Sequence, residues 1–224
     1  MTRPRTQSGY TLSEVVVVTA TLAALASMAI PGTRRMLTDQ GGSDMARTVA
    51  RAFEVARAEA VRTGTNQVVF FRIGGSGDTA GNPLVDANGA PAAVLILDDG
   101  PTGALTQNCR IDPGETTRAI SADASLSWGR SFAGITKAPG DSTAQPISFG
   151  STFVSPLGAS TTWVQFRPDG TPVAIDAGCN AGTVGSGNGA VYFTNGQRDY
   201  AVVLSALGGV RTHSWDRAKG TWTN

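Results

Sequence analysis

Gly9-Tyr10-Thr11-Leu12-Ser13-Glu14-Val15-Val16-Val17-Val18 opens an apolar stretch that continues to Ile30 without another charge. A short basic leader precedes it, residues 1–8, with Arg3 and Arg5 and no acid. One carboxylate, Glu14, therefore stands at the mouth of an apolar helix. A carboxylate costs roughly 2.5–3.5 kcal/mol at the centre of a membrane helix and less near the interface, so it calls for a functional reason. The run over 15–30 lies near the lower limit of the ~17–25 residues that span a bilayer. A secretory signal peptide also has a basic start, an apolar centre and a small-residue cleavage site. The alanines between 23 and 29 supply such a site, but Glu14 lies where the apolar centre should begin. Arg3 and Arg5 keep the leader cytoplasmic by the positive-inside rule, although Arg34 and Arg35 on the far flank weaken that bias.

The 224 residues suit one domain plus a segment with another task. Beyond Pro31 enough chain remains for one sizeable core. Charged residues make up 16% of the chain, against about 25% in a typical soluble domain. Glycine is abundant, at 28 residues, well above the usual ~7%. Low charge and high glycine favour a loop-rich, extracytoplasmic β domain over a cytosolic enzyme. The net charge of +1 gives no global field for nucleic acid or anionic lipid.

Farther along, Pro31 and Gly41-Gly42 predict a bend or local melting between 31 and 43, since proline removes a helix hydrogen bond and glycine costs about 1 kcal/mol in a helix interior. Ser43 can then cap a second stretch. From there Met45, Val49, Phe53, Ala56 and Ala60 recur at spacings of four and three, one face of a helix. Glu54 with Arg57 and Glu59 with Arg62 stand at i,i+3, and Gly64 stops the helix. Strand patterns follow over 66–73, 93–97, 117–120, 126–132, 147–149, 162–167, 171–175, 191–193, 200–204 and 210–215. Asn195-Gly196 between two of them is a strong hairpin signal. Residues 74–91 and 178–189 read as Gly-rich loops.

The opening stretch resembles the type IV prepilin motif, in which an aromatic residue follows the cleaved glycine and glutamate is fifth in the mature chain. Two further places narrow the family. Ala52-Phe53-Glu54-Val55-Ala56-Arg57-Ala58-Glu59-Ala60-Val61-Arg62-Thr63-Gly64, followed by a strand from Gln67 to Phe71, resembles the helix-to-strand junction of the GspH/FimT family of minor type IV pilins and type II secretion pseudopilins. Phe166-Arg167-Pro168-Asp169-Gly170-Thr171 and the tail Tyr200-Ala201-Val202-Val203-Leu204-Ser205-Ala206-Leu207-Gly208-Gly209-Val210-Arg211 are similar to that family's turn and final hairpin. Residues 74–160 are largely unmatched.

The resemblance implies an α+β, pilin-like fold: a long N-terminal, partly transmembrane α-helix packed on an antiparallel β-sheet domain. The implied order is a leader over 1–9, a transmembrane and assembly helix over 10–31, its amphipathic continuation over 32–64, and a periplasmic β domain over 65–224. Prepilin peptidase would cut after Gly9 and methylate the new amine of Tyr10. Glu14 would pair with that amine on an adjacent subunit, because a buried cation needs a partner. Pro31 falls where many pilins carry proline, while Ser13 departs from the usual Ile or Leu. The implied location is the inner membrane, single pass, with the C-terminal domain periplasmic, and then the pilus or pseudopilus, with other pilins or pseudopilins as partners. The implied function is structural, at the filament tip.

No catalytic constellation stands out, so no enzyme, cofactor or metal is expected. His213 is the single histidine and has no evident orienting partner for base catalysis. Asp98, Asp99 and Asp112 offer oxygen ligands for calcium, but Asp98-Asp99-Gly100-Pro101 reads more simply as a turn. Cys109 and Cys179 permit one disulfide in an oxidising compartment; two separate thiols are the alternative. Some FimT-like pilins are understood to bind DNA through a C-terminal Gly-Arg-x-Arg element, whose positions here read Gly208-Gly209-Val210-Arg211, without the first arginine. Arg198, Arg211, Arg217 and Lys219, with Trp215 and Trp222, form a candidate basic-aromatic patch for DNA uptake. The simpler reading is a solvated hairpin with packed tryptophans.

Overall fold

The structure is a computed structural model and describes residues 10–100, 107–121, 126–147 and 150–224; of residues 28–38 it describes the main chain alone. The chain divides into two units, Met1–Thr38 and Asp39–Asn224. Helix α1, Leu12–Thr63, runs through that division without interruption at Pro31 or Gly41-Gly42. The expected break between 31 and 43 is therefore absent. For Gly42 the reason lies in packing. A Cβ there would stand 2.2 Å from the Tyr200 ring, so glycine permits close approach of helix to sheet and does not break the helix. Gly64 ends α1 in a left-handed conformation (φ 71°), its N–H donating to the Ala60 carbonyl, as the sequence predicts.

Ten strands build the second unit: β1 (Asn66–Phe71), β2 (Ala92–Asp99), β3 (Thr116–Ser121), β4 (Ser127–Trp128), β5 (Trp163–Phe166), β6 (Pro172–Val173), β7 (Gly189–Thr194), β8 (Asp199–Leu204), β9 (Val210–Asp216) and β10 (Thr221–Thr223). They form two antiparallel five-stranded sheets, in the orders β3-β2-β1-β5-β6 and β10-β9-β8-β7-β4.

The expected fold class is corrected on two counts. The second unit carries two antiparallel sheets where a single one was expected. Among the described residues, no helix is long and apolar enough to cross a membrane. The part of α1 with described side chains is apolar over residues 15–26, interrupted by Thr19 and Thr21, and about 20 apolar residues are needed. The transmembrane helix and the single-pass inner-membrane location both fall with that finding.

Two sheets arise because their central strands are apolar on both faces. β1, β7 and β8 are buried almost throughout. Side chains alternate across a strand. Val69, Phe71, Val94, Ile96, Val191, Phe193, Val202 and Leu204 join Met45, Val49, Phe53, Ala56 and Ala60 of α1 in one core. The alternate residues of the first sheet, Val68, Phe70, Leu95 and Leu97, meet Cys109 and Ile175. Those of the second, Ala190, Tyr192, Ala201 and Val203, meet Ala138 and Ile147. A single-sided sheet would leave these outer faces wet. At about 25 cal/mol per Å² of apolar surface, covering them is a large part of the stabilisation.

Candidate functional site

At the start of α1, Thr11 and Glu14 bond reciprocally. The Thr11 N–H donates to Glu14 Oε2 at 2.9 Å, and the Glu14 N–H donates to Thr11 Oγ1 at 3.4 Å. This is a capping box, which satisfies two otherwise orphaned main-chain donors. The Thr11 N–H and, after it, the Thr11 hydroxyl, which donates to Glu14 Oε2 at 2.8 Å, hold the Glu14 carboxyl below its usual range and favour its ionised form. Tyr10 is 89% exposed, and Leu12, Val15, Val16, Val17, Val18, Leu22 and Leu25 are all exposed beyond it. Helix-forming residues thus present large apolar side chains on every side of this unit's described part. Gly9 lies outside the described residues, as does the Pro31 side chain.

Cys109 and Cys179 are joined as a disulfide across 70 positions of sequence, with Cα atoms 5.4 Å apart. Both half-cystines have positive φ, 56° and 63°. Asp99 lies against them. Its carboxylate accepts the N–H groups of Asn108 and Cys109 and is fully buried. Burial raises the Asp99 pKa, opposed by those two hydrogen bonds. The other calcium candidates are also engaged: Asp98 accepts from the Thr65 hydroxyl at 2.6 Å and Asp112 from the Asn108 amide at 2.7 Å. With these bonds, the three carboxylates act as loop anchors.

The candidate DNA patch is brought together only in part: the β8–β9 register, with Tyr200 opposite Ser214, carries Arg198 to the same end as Arg217 and Lys219, and Arg211 lies apart. Arg211 and Arg217 lie six residues apart on and just beyond β9, about 20 Å at strand rise. Arg198 pairs with Asp39 at 3.8 Å, and Lys219 with Asp216 at 3.4 Å. The Arg217 guanidinium sits 4.0 Å from the Phe132 ring centroid, a cation–π contact. Trp215 and Trp222 pack edge to face at 5.3 Å, and the Trp222 indole N–H donates to the Thr136 carbonyl. Trp222 also packs edge to face with Tyr192 at 5.8 Å, so both tryptophans are engaged in aromatic packing.

His213 lies on β9, 4% exposed. Neither ring nitrogen has a well-formed hydrogen bond among the described residues. Burial depresses its pKa, and the nearby Pro139 main chain and Asn224 side chain offset this only in part.

The chain matches no family model, no curated protein and no solved structure.

Functional reading therefore rests on the residues themselves. Sequence reading singled out Glu14 but missed its local partner, although Thr11-x-x-Glu14 is a legible capping pattern. It also missed Asp199, whose buried carboxylate gathers the N–H groups of Ser131, Phe132 and Ala133. No local pattern announces that contact, because the partners are more than sixty residues away.

Proposed function

We propose that the chain is a minor pilin or pseudopilin, a structural subunit of a type IV pilus or type II secretion pseudopilus, positioned at the filament tip. Prepilin peptidase cleaves after Gly9 and methylates the Tyr10 amine. The observation that carries this reading is the start of α1. An ionised Glu14 is fixed by Thr11 at the head of a helix whose large apolar side chains are exposed. Exposed apolar surface of this extent marks an interaction site. Neighbouring subunits' helices are its natural cover, since bundling buries apolar sides and brings each Glu14 to an adjacent amine.

The second unit suits the same role. Its core is closed on both faces of both sheets, and no nucleophile–base pair lies among its described residues. DNA capture is not favoured, because Arg198 and Lys219 are paired with carboxylates, Arg217 lies on the Phe132 ring and Arg211 lies apart from them. The experiment is processing by prepilin peptidase, read by intact mass. The expected result is a chain shortened by the nine residues ending at Gly9 and methylated on Tyr10. An uncut chain would overturn the proposal.

A further inference from the structure

Asp99 closes β2 where that strand meets the Cys109–Cys179 disulfide. The residue is fully buried, and Asp99 Oδ2 stands 3.7 Å from Cys179 Sγ. Cys109 Sγ lies within 4.8 Å of the same carboxylate. A disulfide sulfur carries no proton, so these are contacts and not hydrogen bonds. The hydrogen bonds of the carboxylate come from the N–H groups of Asn108 and Cys109. The neighbouring charges that act on it are carboxylates too, Asp112 and Asp98. Anchoring the loop needs only an acceptor at this place, whereas a charge acts on the sulfurs as well.

The two sulfurs are not equivalent. Cys109 is fully buried and Cys179 is part-buried, so an outside thiolate reaches Cys179 Sγ. In thiol–disulfide exchange the lone pair of the thiolate forms the new S–S bond with Cys179. The Cys109–Cys179 bond breaks, its electron pair leaves on Cys109 Sγ, and that thiolate then takes a proton from solvent. Negative charge therefore enters at Cys179 and departs on Cys109, with the Asp99 carboxylate beside both. Cys109 Sγ receives in return the Gln165 amide at 3.9 Å, a neutral and weak donor. Reactive cysteines sit beside cations or helix N-termini; this pair sits beside an anion.

We propose that Asp99 is an electrostatic guard of the disulfide: its charge opposes the transition state for thiolate attack at Cys179 and so slows exchange with outside thiols. The guard acts on rate, because the disulfide and the protonated dithiol are both neutral and the carboxylate discriminates little between them. Asp99 acts through the sulfurs as a positioned charge, in addition to its anchoring bonds. The role does not depend on how the subunit assembles.

The test uses the full chain at about pH 8, where small thiols are appreciably ionised. Two monothiol reductants of opposite charge, mercaptoethanesulfonate and cysteamine, are compared, each scaled to its rate on the neutral hydroxyethyl disulfide. Maleimide quenching and intact mass read the reduction. The wild type should favour cysteamine roughly tenfold or more, the weight of a unit charge about 5 Å away in an effective dielectric between those of a protein surface and water. Asp99→Asn keeps an oxygen for the two N–H groups; it should speed the sulfonate roughly tenfold and narrow that preference. Thr79→Val removes the hydroxyl that donates to the Cys109 carbonyl at 2.7 Å, loosening the same loop with no change of charge, and should speed both reductants alike. Peptide maps should place the first adduct on Cys179. A wild type without preference for cysteamine, equal acceleration of both reductants in Asp99→Asn, or a first adduct on Cys109 would overturn the proposal.

Discussion

The Tyr200 hydroxyl donates to the main-chain carbonyl of Asp39 at 3.0 Å. Its ring covers the helix where Gly42 lacks a side chain. One tyrosine on β8 thereby sets how closely the helix from Asp39 onward lies on the second sheet. Overpacking costs about 1–3 kcal/mol against the ~1 kcal/mol gained in helix propensity, so Gly42→Ala should destabilise the fold by up to about 2 kcal/mol. Tyr200→Phe should lose about 0.5–1.5 kcal/mol for the hydrogen bond alone. Urea denaturation compares the two, and a stabilised Gly42→Ala would show that the close approach does not matter.

Glu14 has two roles to separate, because it caps its own helix and, in the proposed function, pairs with a neighbouring amine. Glu14→Gln keeps an acceptor for the Thr11 N–H but loses the charge. It should preserve helix content by circular dichroism and reduce incorporation into filaments at least roughly tenfold, since breaking a buried ion pair costs several kcal/mol. Glu14→Ala should lose both. Normal assembly of Glu14→Gln would reduce Glu14 to a cap.

His213 predicts an acid limb in the stability profile. Burial places its folded pKa below the ordinary 6.5, so the unfolded chain binds the proton more tightly. Stability is then full above 6.5 and falls as pH drops from that value through the folded pKa. Because this is the single histidine, His213→Leu should flatten the profile between mildly acidic and neutral pH. Thermal melts across that range decide it; an unchanged slope would reassign the limb to carboxylates.

Asp199 anchors the loop after β4. Removing its carboxylate leaves three main-chain donors, at Ser131, Phe132 and Ala133, without their acceptor. Bonds to a charged acceptor are worth about 1.5–3 kcal/mol each. Asp199→Ala should therefore lower stability by about 3 kcal/mol or more and expose amides 131–133 to hydrogen exchange. Exchange confined to other segments would place the anchor elsewhere.

Much of the second unit was legible in the sequence, wherever local pattern and burial coincide. The stripe Met45, Val49, Phe53, Ala56 and Ala60 is the buried face of α1, and β1, β5, β7 and β8 lie within about two residues of their expected bounds. Glu54 and Arg57 did not pair; Arg57 donates instead to the Gly208 carbonyl, a contact that only the fold creates. β10 was missed because Thr221–Thr223 is too short to show a period. The division into two sheets was also missed. Alternating Val and Phe look alike whether the second face meets water or a covering loop, and the cover comes from residues distant in sequence, such as Cys109, Ala138 and Ile147. Gly42 misled for the related reason that a glycine signals an absent side chain, not what fills the space.

The disulfide offers a final test of what covers the first sheet. Cys109 is fully buried beside Val68, Phe70, Leu95 and Leu97, and its link to Cys179 closes a loop of 70 positions. In the chain-entropy model such a loop is worth about 4 kcal/mol. Cys109→Ser with Cys179→Ser should lower stability by an amount of that order, and the loss should centre on the outer face of the first sheet. Amides of residues 107–112 should exchange faster, because hydrogen bonds would then hold that loop without the covalent link: Asp99 to the Asn108 and Cys109 N–H groups, Asp78 to the Ile111 N–H, and the Thr79 hydroxyl to the Cys109 carbonyl. Amides of β7 and β8, on the far sheet, should keep their relative protection. Uniform loss of protection across both sheets would mean that the outer cover of the first sheet and the shared core unfold as one cooperative body.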